Sequence, residues 1–177
     1  TSLVMDIGGG STEFIICRPD ALLWKKSYNI GAARLMQAFF NSDPLAEADE
    51  KAIIAHLDTE LAELKTICTH YQPTQLIGSA GAFETFAGMI NPDLDLEHTS
   101  SSPISFRDYQ QLSTMLLAST HQERSQMKGL IPLRVDMIVM ATLLTNYVLE
   151  TLNLQEISLS TYDLKMGVLF DLAQQKS

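Results

Sequence analysis

Residues Leu3 to Cys17 read LVMDIGGGSTEFIIC: an apolar run, a carboxylate, three glycines, two hydroxyls and a second apolar run. A hairpin reverses with only two turn residues, so the surplus glycine needs another reason. Glycine lets a turn aim successive backbone N–H groups at one point and lets an anion approach without a side chain in the way. Gly8, Gly9, Gly10, Ser11 and Thr12 supply five consecutive amides and two hydroxyls, a predicted phosphate cradle. Asp6, ending the first strand beside that cradle, is placed to hold a divalent cation through water or to orient an attacking water. The alternative is a carboxylate that merely satisfies turn amides. Glu13 either braces the loop or reaches toward the site.

Working outward, Leu3–Asp6 and Glu13–Cys17 read as paired strands and Ala21–Ile30 as a third. GAARLMQAFF then turns helical, and a long helix follows, with Ser42 and Asp43 as its cap and Pro44 just inside. Ile53, Leu57, Leu61, Leu64 and Cys68 share one face of that helix, which is therefore core. A strand ending at Ile77 leads through a second glycine turn, Gly78, Ser79 and Gly81, into a helix from about Ala82. A helix N-terminus presents free N–H groups to anions, although small residues also serve plain packing. The stretch NPDLDLEHTSSSPIS reads as a surface loop, and Ser105 with Asp108 marks a capping box opening the next helix. Val135–Leu152 is apolar on nearly all sides, as a buried central helix is. EISLS is a closing strand and YDLKMGVLFDLAQQ a final helix. Hairpin strands followed by alternating helices and strands predict an α/β fold, a mixed sheet with helices on its faces, in one domain over residues 1–177.

Composition narrows the function. A net charge of -9 lacks the basic footprint of a nucleic-acid binder, so no nucleic-acid polymer is expected as a partner. Charge-assisted hydrogen bonds contribute roughly 1.5 to 3 kcal/mol each, so a few local amides outweigh the diffuse repulsion of an acidic surface. Cys17 and Cys68 form no C-x-x-C pair, and the four histidines have no zinc-ligand spacing. The longest apolar run, Met137–Leu144, is far short of a membrane span, and a cytoplasmic protein without membrane partners is the expectation. The chain starts at Thr1 rather than methionine, with its most informative motif at once, so either something upstream was removed or this is one piece of a longer protein.

Four stretches in order, LVMDIGGGSTEFII, SYNIGAARLMQAFF, LIGSAGAFETF and GLIPLRVDMIVMATLL, together resemble the second half of the exopolyphosphatase and guanosine pentaphosphate phosphohydrolase family, over about Leu3 to Phe170. More broadly the first is similar to the second phosphate loop of the actin, hexokinase and Hsp70 fold, a ribonuclease H-like domain. The resemblance implies that Asp6, Gly8, Gly9, Gly10, Ser11 and Thr12 contact Mg²⁺ and phosphate, Asp6 as the metal residue, with Glu13 an accessory catalytic group. It implies that Gly78, Ser79 and Gly81 form a second turn facing the cleft. Arg34 and Arg134 match basic positions of the family, with structural ion pairs as the alternative.

This chain departs from the pattern in two places: the second turn lacks threonines, and LSTYDLKMG, with Ser160, Thr161 and Lys165, stands where relatives carry glycines. The family's first lobe, with its own phosphate loop and a water-activating glutamate, is absent. The resemblance therefore implies the C-terminal lobe of a phosphoanhydride hydrolase, inactive alone. Its expected partners are inorganic polyphosphate or a guanosine polyphosphate, the N-terminal lobe and Mg²⁺, with a homodimer left open. If the chain alone were active, Glu13, Glu84 and Asp136 would be the candidate bases. The alternatives are an ATP-dependent small-molecule kinase of the same fold and a non-catalytic polyphosphate or nucleotide sensor.

Overall fold

Strict alternation builds the first strands. In β1 (Ser2–Ile7), Leu3, Met5 and Ile7 are buried while Ser2, Val4 and Asp6 on the other face are partly exposed. β2 (Thr12–Arg18) returns antiparallel, with Glu13 opposite Asp6 and Thr12 opposite Ile7. β3 (Ala21–Tyr28) pairs antiparallel with β2. On the other side of β1, β4 (Gln75–Ser79) runs parallel to it, and β6 (Ile157–Ser160) runs parallel to β4. β5 (Ser101–Ile104) closes the sheet antiparallel to β6, giving the order β3-β2-β1-β4-β6-β5. The expected mixed α/β sheet is thus present. The computed structural model describes residues 1–79 and 81–163, so the expected final helix and Lys165 lie outside the described residues.

β5 corrects the reading of 91–105 as loop throughout. Pro103 cannot donate to a ladder, which confines it to a sheet edge, and the serines around it offer no apolar run to read.

The helices are α1 (Ala32–Phe39), α2 (Glu47–Glu60), α3 (Ala62–Tyr71), α4 (Gly81–Ile90), α5 (Phe106–Ala118), α6 (His121–Arg124) and α7 (Ile138–Thr151). Ile53, Leu57, Leu61, Leu64 and Cys68 are all buried, as their spacing requires. The long helix is nevertheless two helices, meeting at Leu61, where Leu61 N→Leu57 O (2.9 Å) and Lys65 N→Leu61 O (3.1 Å) carry hydrogen bonding across the join. Its start is also later than expected, with Ala46 as the N-cap residue. Ser42 Oγ accepts from Ala46 N, whereas the Asp43 carboxylate is drawn away to Arg124 and the His121 amide. Ser105 does cap α5, accepting from Asp108 N. A capping box the sequence reading passed over, Thr120 with Glu123, opens α6.

α7 is buried on nearly every side and packs against α1, α2 and α5. Its buried Thr142 and Thr145 hydroxyls bond back to the carbonyls of Ile138 and Ala141, which removes the cost of burying them. Phe83, Phe86 and Tyr109 form an edge-to-face chain with centroids 5.6 and 5.3 Å apart, joining α4 to α5. No helix among the described residues is long and apolar enough to cross a membrane.

Candidate functional site

Parallel pairing sets the carboxyl ends of β1 and β4 side by side, with Asp6 opposite Ser79. Ligands of open α/β sheets bind beyond such ends. The loop leaving β1 is anchored through its carbonyls. Ala32 N donates to Gly8 O (2.9 Å), Arg34 N to Gly9 O (3.1 Å) and Arg34 Nε to Gly10 O (3.0 Å). The first amides of a helix lack intrahelical partners, and α1 uses two of them to hold this loop. With the carbonyls turned to α1, the amides of Gly9, Gly10 and Ser11 make no hydrogen bond among the described residues. These are donors left over for a ligand, although only Gly8 and Gly9 of the loop line the cleft described below and Gly10 and Ser11 do not.

The rest of the expected cradle is engaged elsewhere. Gly8 N donates to Ser11 O at 2.9 Å. Thr12 is fully buried and its hydroxyl donates to Ile30 O at 3.1 Å. Ser11 Oγ donates to Glu13 Oε1 (2.7 Å), which also accepts from Ser27 Oγ (2.5 Å). Glu13 therefore braces the loop. Gly8, Gly9 and Gly10 do not need a left-handed backbone, which among the described glycines occurs only at Gly81 and Gly129. Close approach explains Gly31 instead: a Cβ there would lie 2.5 Å from backbone atoms of Gly9 and Gly10.

Asp6 lines a cleft of about 500 Å³ together with Gly8, Gly9, Gly81, Glu84 and Arg134. Burial first, then the charges of Glu13 and Asp163, hold its carboxyl above the usual range. Gly78 and Ser79 belong to β4 and do not line this cleft. A Cβ on Gly78 would fall 1.9 Å from the Phe83 ring, so this glycine is required by packing. Ser79 Oγ donates to Tyr162 O at 2.8 Å. Gly81, with φ of 47°, makes the turn from strand to helix at the cleft wall.

Arg134 lies over that turn, its guanidinium nitrogens 3.2 and 3.4 Å from where a Gly81 Cβ would be. It has no hydrogen bond or ion pair through its side chain among the described residues, and Arg34 likewise has no ion pair. The structural ion pairs weighed for both arginines are thereby corrected: Arg34 clamps the loop, and Arg134 brings a charge to the cleft. Asp163 and Glu84 also line the cleft. Asp163 was missed as a site residue, though its place just beyond β6, a parallel strand's carboxyl end, was the available signal. Asp136 instead bonds His121 Nδ1 (2.7 Å) and is not among the cleft residues.

No three metal-ligating side chains gather among the described residues. Mg²⁺ does not require that: it takes one or two carboxylates and completes its shell with water and phosphate oxygens. Asp6, half-buried among like charges that a cation would relieve, fits such a role.

The model of the Ppx/GppA phosphatase family matches residues 1–176 of the chain. The crystal structure of an exopolyphosphatase from Cytophaga hutchinsonii superposes with a TM-score of 0.93 at 40% identity, over 98% of this chain and 57% of that one. A bifunctional 3-dehydroquinate synthase/phosphatase of Fusobacterium nucleatum is 28% identical over 98% of this chain and 26% of its own length. A guanosine-5'-triphosphate,3'-diphosphate pyrophosphatase of Aeromonas salmonicida is 23% identical over 96% of this chain and 33% of its own. The chain thus spans between about a quarter and somewhat over half of these proteins. The mixed sheet and its helices are those of the actin-like ATPase fold that the Ppx/GppA structures share.

Proposed function

The chain belongs to the Ppx/GppA phosphatase family, and from that premise we propose that it is the phosphate-binding C-terminal lobe of a phosphoanhydride hydrolase. Its substrate is inorganic polyphosphate or guanosine pentaphosphate, from which the joined lobes release the terminal phosphate with Mg²⁺. The observation that carries this reading is the Arg134 guanidinium, without an ion pair among the described residues, in the same cleft as Asp6, Gly8 and Gly9. An acidic protein in which this cation has no carboxylate partner among the described residues, although Glu84 and Asp163 line the same cleft, has a site suited to an anionic ligand.

Phosphoryl transfer to water needs positioning and charge neutralisation more than covalent chemistry. The amides of Gly9, Gly10 and Ser11 bind phosphate oxygens, and Arg134 neutralises charge from the α7 side of the cleft. Asp6 would hold Mg²⁺, which when bound supplies further neutralisation of the phosphate oxygens. The water-activating carboxylate comes from the other lobe, and closure of the two lobes excludes bulk water.

Calorimetric titration of tripolyphosphate into the chain tests the binding half. Arg134→Ala is expected to weaken affinity by tenfold or more, the worth of one charge-assisted hydrogen bond. Gly9→Val is expected to abolish binding with little loss of stability, because among the described residues a Cβ there meets only the Ala33 Cβ, at 3.7 Å, and fills the anion's space instead. Phosphate release by the two lobes together, with polyphosphate and guanosine pentaphosphate compared, identifies the substrate. Binding without release by the joined lobes would mark a sensor.

A further inference from the structure

Arg134 ends a 3₁₀ turn, Pro132–Arg134, in which Leu133 is 74% exposed, while Val135, the residue after it, is buried. Core packing thus fixes the backbone beyond the turn but not the Arg134 side chain, which has no hydrogen bond or ion pair among the described residues. At Val135 the turn is also tied to Arg124, a side chain only 1% exposed. Arg124 Nε donates to Val135 O (3.0 Å), one terminal nitrogen donates to Ser119 O, and the other donates to Asp43 Oδ1 (2.9 Å). Asp43 Oδ2 accepts from His121 N (2.6 Å), and His121 Nδ1 bonds Asp136 Oδ1 (2.7 Å). The two residues that follow Arg134 are thus each tethered to α6, and α6 is tethered through Asp43 to the segment preceding α2.

We infer that Arg124, locked by Asp43, is a positioning residue for Arg134, setting the height and direction of its guanidinium over the cleft. The inference rests on the anion-binding reading of that cleft. A buried ion pair is weak evidence for stability, since desolvating both charges offsets most of their attraction. Geometry is a better account: three nitrogens of one rigid planar fork fix three separate chain segments. Misplacing a binding group by an ångström is enough to lose most of its contribution.

A double-mutant cycle on the 177-residue chain, titrated with tripolyphosphate well below each variant's unfolding temperature, tests this. Lysine keeps the charge of Arg124 but cannot reach all three acceptors. Arg124→Lys is expected to weaken affinity about tenfold when Arg134 is present and less than twofold in the Arg134→Ala background. Should Arg124→Lys fail to fold, Asp43→Asn, at the more exposed end of the pair, takes its place in the cycle. Equal losses in both backgrounds, or an unchanged affinity with only a lowered unfolding temperature, would overturn the inference and leave the cleft reading standing. Arg134→Ala with wild-type affinity, or no binding by the wild-type chain, would overturn the cleft reading and this inference with it.

Discussion

Gly31 should be among the least replaceable residues of the chain, although nothing in its conformation demands glycine. Its φ of -67° suits any residue. The constraint is the glycine loop, whose Gly9 and Gly10 backbone atoms lie 2.5 Å from a Cβ at this position. Ordinary contact needs about 3.5 Å, so Gly31→Ala must drive the loop and α1 apart by about 1 Å. Backbone atoms cannot rotate away as a side-chain tip can. A shift of that size stretches Ala32 N→Gly8 O and Arg34 N→Gly9 O, now 2.9 and 3.1 Å, past the limit of a hydrogen bond. Losing two such bonds costs about 1 to 3 kcal/mol, which for a chain of this length lowers the unfolding temperature by about 4 to 8 °C at the middle of that range. The released carbonyls would then turn toward the space where the amides receive an anion, so tripolyphosphate affinity should fall by at least tenfold. Differential scanning calorimetry and calorimetric titration measure the two effects. A Gly31→Ala chain with unchanged unfolding temperature and unchanged affinity would refute the account of the loop as held by α1.

Asp6→Asn should leave stability equal or higher while phosphate release by the joined lobes falls steeply. The folded state raises the Asp6 pKa, so its contribution is most favourable below the unfolded value and is lost as pH rises through the folded one. Removing the charge removes that loss at neutral pH, and equal damage to stability and turnover would make Asp6 structural. Gly78→Ala should cost about 3 kcal/mol or more, since the fully buried Phe83 ring occupies the new methyl's place and is itself wedged against Phe86; urea unfolding reads this directly. At Asp43, burial alone would raise the carboxyl, but the His121 amide and Arg124 outweigh it and hold the pKa below the usual range. That stability is present above the unfolded value and fades as pH falls through the folded one, so Asp43→Asn should flatten the acid side of the urea-midpoint profile, below the ordinary carboxylate range of about pH 4.

Residues close in sequence declared much of this protein. Alternation in LVMDI and EFIIC, the helical spacing of Ile53 to Cys68 and the all-round apolarity before Leu152 each encode local geometry and burial together, and elements of those kinds stand where the residues put them. The glycine loop was legible as a turn because three glycines and two hydroxyls exceed what reversing a hairpin needs. Caps and edges were less legible. Asp43 has the chemistry of a helix cap, but it lies within reach of a buried arginine 81 positions away, and a charge-assisted bond outweighs a local one. β5 carries no apolar alternation, because an edge strand containing proline has little core to face.

The site divides in the same way. Asp6 and the glycines beside it could be named from the chain alone, since a turn is a contiguous object. Whether a given hydroxyl or amide remains free is decided by its partners: Ile30 took the Thr12 hydroxyl, Glu13 took that of Ser11, and α1 took the loop carbonyls. Whether an arginine ends in an ion pair or in a cleft is likewise a question of which carboxylates the fold brings near it. Arg124 found Asp43 and Arg134 found none among the described residues, although the two stand ten positions apart on one stretch of chain. Sequence determines which groups a segment carries and which face it buries; partnership between segments depends on distances that exist only once the sheet order and the packing of α6 and α7 have closed them.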